Sequence, residues 1–241
     1  MLIDEFEYTD KGGRNYNEDS IGSSFESQGC IFVVADGLGG HVKGDEASAC
    51  AVNTAINIWQ NSNNPGKQKL EEIVEKANDE ILNLQQQYSA VMKSTIAALA
   101  FDGLHIMWVN VGDSRVYYFH NNELAAVTED HSVAYKKYKA GEITRDMIGQ
   151  DEDQSSLLRT LGNKERHSSQ VYVSDNLLET GDAFLICSDG AWEYLRDEEI
   201  LFDMIKSESA KQWAEYLLLR IHERVDGSND NLSILTIKIE N

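Results

Sequence analysis

The stretch "STIAALAFDGLHIMWVNVGDSRVYYFHNNELAAV", Ser94 to Val127, reads as a run of short apolar segments punctuated by turns. "STIAALAF" is followed by Asp102-Gly103, a strong hairpin signal. "LHIMWVNV", the break "GDS", "RVYYFH", the pair Asn121-Asn122 and "ELAAV" come next. Strands joined by turns this short are antiparallel, so the stretch is expected to form a meander.

Upstream of the meander the period changes to that of a helix. Ala47, Cys50, Ala51, Thr54 and Ile58 recur at helical spacing over about 45–59. Leu70, Ile73, Val74, Ala77, Ile81, Leu84 and Tyr88 do so over about 69–88, after a loop, "NSNNPGKQ", that holds the only proline. Near the end Trp213, Leu217, Ile221 and Val225 mark a third helix. These stripes read as core. "LSILTIKI" then alternates Leu235, Ile237 and Ile239 against Thr236 and Lys238, a strand with one buried face. Helices covering antiparallel sheets point to a layered α/β sandwich. The charged segment 128–167 interrupts the strands, and a loop placed near a site often gates it.

Composition limits the function. The 241 residues suffice for a substantial core, and the fractions of apolar and charged residues are those of a soluble globular protein. A net charge of −20 argues against nucleic acid and anionic membrane surfaces as partners. No apolar run approaches the ~20 residues of a membrane span, and the acidic N-terminus lacks the basic and apolar regions of a signal peptide. Cys30, Cys50 and Cys187 lack zinc spacing and read as reduced core residues of a cytoplasmic protein.

The chemistry lies in where the acids fall. Asp36 closes the apolar run "IFVVAD" and Asp189 closes "FLICSD"; each is followed by glycine and then by helix-like sequence. Asp113 follows "IMWVNVG", Asp230 precedes the last strand, and Glu18 and Asp19 stand where another strand would begin. If these ends meet on one rim, four to six carboxylates share a small volume. Two carboxylates ~5 Å apart repel by roughly 3 kcal/mol at an effective dielectric near 20, so the cluster must hold protons or cations. All-oxygen ligands select hard ions such as Mg²⁺, Mn²⁺ or Ca²⁺, and the glycines let a backbone carbonyl approach. Asp102-Gly103, which joins two plain strands, is only a turn. Arg14, four residues before Glu18, is a candidate phosphate clamp because its guanidinium grips two oxygens at once.

In order, "RNYNED", "ADGLGGHVKGDEAS", "VGDSRVY", "DHS", "LLRTLG", "CSDGAWE" and "NDNLSIL" resemble the bacterial metal-dependent Ser/Thr protein phosphatases, the PPM family of protein phosphatase type 2C. The resemblance runs from about Thr9 to about Ile239. It implies one α+β domain over 1–241, a four-layer αββα sandwich of two antiparallel sheets flanked by antiparallel helix pairs, with 128–167 as a flap. It implies two tightly held Mn²⁺ or Mg²⁺ ions and a weaker third. Asp36 resembles the ligand shared by two ions, with the Gly37 carbonyl, Asp189 and Asp230 completing one and Glu18 and Asp19 serving the other. Asp113 and Glu193 match the pair that, with Asp189, holds the third; Glu193 stands where the family usually has aspartate. Arg14 matches the phosphate-binding arginine. The implied reaction is hydrolysis of phosphoserine and phosphothreonine monoesters by water activated at the two-metal centre, with no phosphoenzyme. His41 is a candidate substrate-binding proton donor, with a helix cap as its other reading, and His131 is a second candidate. The implied partners are phosphoproteins, substrates of a cognate Ser/Thr kinase in cytoplasmic signal transduction, and the chain is expected to be a monomer. A metal-binding module without catalysis and a phosphatase of small metabolites stay open as alternatives.

Overall fold

The computed structural model describes residues 2–38, 43–61, 66–165, 167 and 170–241. The chain runs β1 (Leu2–Asp10), β2 (Asp19–Glu26), β3 (Gly29–Leu38), α1 (Gly44–Gln60), α2 (Lys67–Tyr88), β4 (Lys93–Ser94), β5 (Ile96–Asp102), β6 (His105–Val111), β7 (Arg115–His120) and β8 (Glu123–Val127). It continues through α3 (Val133–Lys139), a 3₁₀ turn (Arg145–Gln150), β9 (Tyr172–Leu177), β10 (Ala183–Cys187), α4 (Asp189–Trp192), α5 (Asp197–Lys206), α6 (Ala210–Arg224) and β11 (Leu232–Glu240).

The strands form two antiparallel sheets. One has the order β1-β11-β10-β7-β8; the other runs β2-β3-β5-β6-β9, with β4 on the end of β3. The expected meander is present but divided: β5 and β6 lie in one sheet and β7 and β8 in the other, and the break at 112–114 is the crossing point. Both predicted tight turns form. Asp102 pairs with His105 across one. Asn121 and Asn122 both take left-handed backbone, φ 53° and 59°, in the other, as a two-residue hairpin turn requires.

Three apolar layers hold this together. Ile31, Val33 and Ala35 face α1 and α2. Their neighbours Phe32 and Val34 point the other way, between the sheets, against Leu99, Phe184, Leu235 and Ile237. Tyr117, Phe119, Leu185 and Ile234 form the third layer under α5 and α6, with Trp213 and Leu217. The result is the four-layer αββα sandwich. Strands covered on both sides need no polar alternation, which is why "CIFVVA" is continuously apolar. β11 corrects the expected one-sided strand, since one face packs against the other sheet through Leu235, Ile237 and Ile239 and the other lies under the helices through Leu232 and Ile234. Thr236 is fully buried, donating to the Ala210 carbonyl at 2.9 Å. Lys238 is half-buried with its ammonium donating to the Met204 carbonyl at 3.2 Å.

The helical stripes place α1, α2 and α6 correctly. In α1 the covered face is rotated from the expected one: Ala47 and Ala51 are buried with Ser48, Val52, Ala55 and Trp59, while Cys50, Thr54 and Ile58 flank it. Val225 lies one residue beyond α6 as its C-cap. Segment 128–167 is not a free surface loop. Its first residues, Thr128, Asp130, Ser132, Ala134 and Tyr135, are buried, and so is Leu161 near its end. Two of its lysines are engaged internally: Lys137 pairs with Asp151 and Asp153, and Lys139 with Glu129.

Candidate active site

β2 begins and β3 approaches its end at one rim of the sandwich, and the strand register sets Asp19 directly opposite Asp36. Like charges facing each other across a strand pair oppose folding. β3 runs on to Leu38, two residues past the expected stop, because Gly37 and Leu38 pair with Ser94 and Lys93 of β4. Asp36 is therefore held inside a strand, its backbone N–H donating to Thr95 Oγ1 at 2.9 Å.

The other sheet delivers its acids to the same rim. β10 ends at Cys187, paired with Ile234 near the start of β11. Ser188 then joins the sheets: its hydroxyl donates to Asp19 Oδ2 at 2.7 Å and accepts from the Ser233 N–H at 3.0 Å. Asp189 opens α4 and accepts from the Gly190 N–H at 2.7 Å. A Cβ on Gly190 would sit 2.1 Å from the Asn231 carbonyl oxygen, so only glycine lets α4 lie this close to the Asp230-Asn231 segment that leads into β11. Gly190→Ala is expected to cost about 1–3 kcal/mol by overpacking and to lower the melting temperature by several degrees. An unchanged melt would show that α4 yields without strain.

Glu18 is seated against α1. Its carboxylate accepts from the Gly44 N–H at 3.1 Å, at the positive end of that helix, and its carbonyl accepts from the Gly37 N–H at 3.1 Å. A Cβ on Gly37 would collide with the Gly44 carbonyl oxygen at 2.1 Å. Asn231 anchors the loop that carries Arg14 and Glu18: its Oδ1 accepts from the Glu18 N–H at 2.8 Å, and its Nδ2 donates to the Lys11 and Tyr16 carbonyls, each at 2.9 Å. Arg14 reaches the rim but donates to Asp230 Oδ2 at 2.8 Å, with both side chains substantially exposed. Asp230 is the anion within its reach.

Asp113 lies in the β6–β7 turn and Glu193 directly follows α4. The charges of Asp19, Asp113, Asp189 and Asp230 all act on Asp36. Together with burial, the larger cause, they push its carboxyl well above the usual range. Burial, then Asp230 and Asp19, raise Asp189 to about 7. Burial raises Asp19 to about 6 against the opposing Ser188 hydrogen bond. Burial, then Asp189 and Asp113, raise Glu193 to about 9. Asp113 also lies well above its ordinary value, through burial and then Asp189 and Asp130.

The donor set fits divalent cations. Asp19 Oδ1, Asp113 Oδ1 and Glu193 Oε1 are buried without any hydrogen-bond partner, and a buried carboxylate oxygen left this way requires a proton or a cation. These carboxylates offer oxygen alone as ligand atoms, the chemistry of Mg²⁺ or Mn²⁺. Among the described residues no three acidic, imidazole or thiol side chains converge tightly enough to enclose an ion as they stand. The carboxylates share a rim, but Asp230 is drawn to Arg14, Asp19 to Ser188 and Asp189 to the Gly190 N–H.

His41, with Gly39 and Gly40, lies outside the described residues. His131 is a poor proton donor: burial and then Arg159 lower it to about 4, and its Nδ1 accepts from the Gly112 N–H at 3.2 Å. Ser188 and Asn231 were not singled out by sequence reasoning. Their only signal is position, beside Asp189 in "CSDG" and beside Asp230 in "NDN".

Comparison with known proteins matches the model of the family described as "Protein phosphatase 2C" over residues 12–224. The chain is 31% identical to the "Serine/threonine phosphatase stp" of Listeria welshimeri, over 95% of this chain and 93% of that one. Its fold is similar to the S. agalactiae serine/threonine phosphatase, with a TM-score of 0.87, 25% identity and coverage of 99% and 100% of the two chains. It is also similar to the PPM Ser-Thr phosphatase MsPP from Mycobacterium smegmatis, solved in complex with cacodylate, with a TM-score of 0.81, 28% identity and coverage of 98% and 97%. The chain belongs to the protein phosphatase 2C family. The class the seven motifs pointed to, a bacterial protein-serine/threonine phosphatase, is borne out.

Proposed function

We propose that this phosphatase hydrolyses phosphoserine and phosphothreonine side chains of proteins at the acidic rim. The observation that carries the reading is the set of carboxylates facing one another, Asp19 against Asp36 above all, with buried oxygens that have no partner. Asp36 would be shared by two ions, one completed by the Gly37 carbonyl, Asp189 and Asp230 and the other by Glu18 and Asp19, and Asp113 and Glu193, with Asp189, would hold a weaker third. When bound, such ions supply a water acidified toward neutrality as nucleophile and positive charge for the phosphoryl oxygens.

The chain's own residues do the rest. Ser188 and Asn231 fix the facing strand ends, so the acids are arranged before substrate arrives. Arg14 sits where its guanidinium can pass from Asp230 to a phosphoryl oxygen, whose charge it balances as the ester bond breaks. His41 is retained as a candidate for protonating the leaving oxygen. Segment 128–167 is assigned as the flap within a single domain. No helix among the described residues is long and apolar enough to cross a membrane. A cytoplasmic monomer acting on the substrates of a cognate kinase is the setting we propose.

The direct test is a peptide panel with Mn²⁺. Phosphothreonine and phosphoserine peptides are expected to be hydrolysed well ahead of phosphotyrosine, and equal rates on all three would contradict the assignment. Arg14→Ala is expected to lower kcat/KM by about 10²-fold, the usual effect of losing one charge-stabilising donor, while Mn²⁺ binding is retained. A wild-type kcat/KM in this variant would remove Arg14 from the site.

A further inference from the structure

Arg115, the first residue of β7, is only 4% exposed, yet no step above uses it. Its guanidinium forks onto Asp130, with Nε donating to Oδ1 at 2.8 Å and Nη2 to Oδ2 at 2.6 Å. Nη1 donates to the Tyr117 hydroxyl at 3.0 Å, and the group lies 3.5 Å from the centre of the Trp192 ring. Trp192 in turn donates its Nε1–H to the Asp113 carbonyl at 2.9 Å. Lysine could supply the charge but neither the fork nor the flat face.

One side chain thus meets three pieces of the molecule: the base of segment 128–167 through Asp130, α4 through Trp192, and the Asp113 turn through Trp192. Short bonds fasten that base to the same turn and the strand ends beside it. The His131 N–H donates to the Gly112 carbonyl at 2.8 Å, the Val116 N–H to Thr128 Oγ1 at 3.0 Å, and Asn110 Nδ2 to the Glu129 carbonyl at 2.9 Å. Farther along the segment, Gly149 lies against Glu193, where a Cβ would stand 3.1 Å from the Glu193 Cα. A cavity of about 1120 Å³ opens beside this contact, lined among others by Arg115, Arg145, Gln150, Trp192 and Glu193.

We propose that Arg115 is a positioning residue that locks segment 128–167 to the Asp113/Glu193 pair, so that ion binding at that pair depends on the segment's grip on Arg115. The inference rests on the metal reading given under Proposed function. Groups that hold a ligating side chain in place are worth 10- to 100-fold in metal affinity. Binding an ion at the pair therefore stiffens the segment, and loosening the segment weakens the ion.

The test uses the full chain without substrate, as wild type, Asp130→Asn and Arg115→Lys. Mn²⁺ is titrated by calorimetry, and hydrogen exchange is followed over 129–160. Both variants are expected to weaken the lower-affinity Mn²⁺ event by about 10-fold and to leave the tight event in place. Exchange should rise over 129–160 and not in β3 or β5. High Mn²⁺ should slow exchange over 129–160 in the wild type only. Arg115→Lys keeps the buried charge and decides alone if Asp130→Asn does not fold. An unchanged weak event, or exchange that rises evenly through the chain, would make the pair a core support and overturn the proposal. A wild type that takes up no Mn²⁺ overturns the metal reading as well, and is told apart by the missing tight event.

Discussion

Asp36→Asn is expected to abolish phosphopeptide hydrolysis, by about 10³-fold or more, while making the metal-free protein more stable. A factor of 10³ is about 4 kcal/mol of transition-state stabilisation, a modest share of what a two-ion centre supplies. The stability gain has a separate cause. Asp36 is crowded by four other carboxylates and faces Asp19 across the strand pair, so its charge is unwelcome in the folded chain. Asparagine keeps the shape and removes the charge. The two effects have opposite signs, which separates the variant from one that merely misfolds. Thermal melts and peptide kinetics on one preparation check both. A variant that keeps activity, or loses stability along with it, would show that Asp36 is not the centre of a charge cluster held for ions.

The second large effect is on the pH dependence of the metal-free protein. Asp19 at about 6, Asp189 at about 7 and Glu193 at about 9 all titrate above their unfolded values. Between the unfolded and folded values the folded chain binds more protons, so stability falls as pH rises. Their contribution is fully present below about pH 4 and is lost by stages up to about pH 9. For Asp19 alone the loss is on the order of 3 kcal/mol by pH 8, and coupled neighbours do not simply add. About half of that, ~1.4 kcal/mol, falls between pH 5 and pH 8, which in a chain of this size is a fall of roughly 3–6 °C in melting temperature. Mn²⁺ at 100 times its Kd should return about 2.7 kcal/mol at the upper pH. Melts in chelator and in Mn²⁺ across this range check it. A metal-free protein at its most stable near pH 8 would contradict the raised values.

Much of the fold was legible because it is written in local pattern. The helical stripes located α1, α2 and α6, and Asp102-Gly103 and Asn121-Asn122 marked turns that need their backbone geometry. β1 carries a strand's alternation, Phe6 and Tyr8 against Glu5 and Glu7, but the acidic terminus was read only for its charge. Segment 128–167 misled for a related reason. Charge suggested exposure, whereas Asp130 is buried against Arg115, and Lys137 and Lys139 pair with the segment's own acids. The rim acids were legible as strand-end carboxylates. The residues that hold them were not, since Ser188 and Asn231 act across the two sheets through single hydrogen bonds that no local period encodes.

The most direct measurement is hydrolysis of a phosphothreonine peptide by chelator-stripped protein as Mn²⁺ is added back. The rim of facing carboxylates, with buried oxygens of Asp19, Asp113 and Glu193 left without a partner, predicts no turnover in the stripped protein and a return of activity that follows Mn²⁺ uptake. Full activity in protein verified free of divalent ions would contradict it.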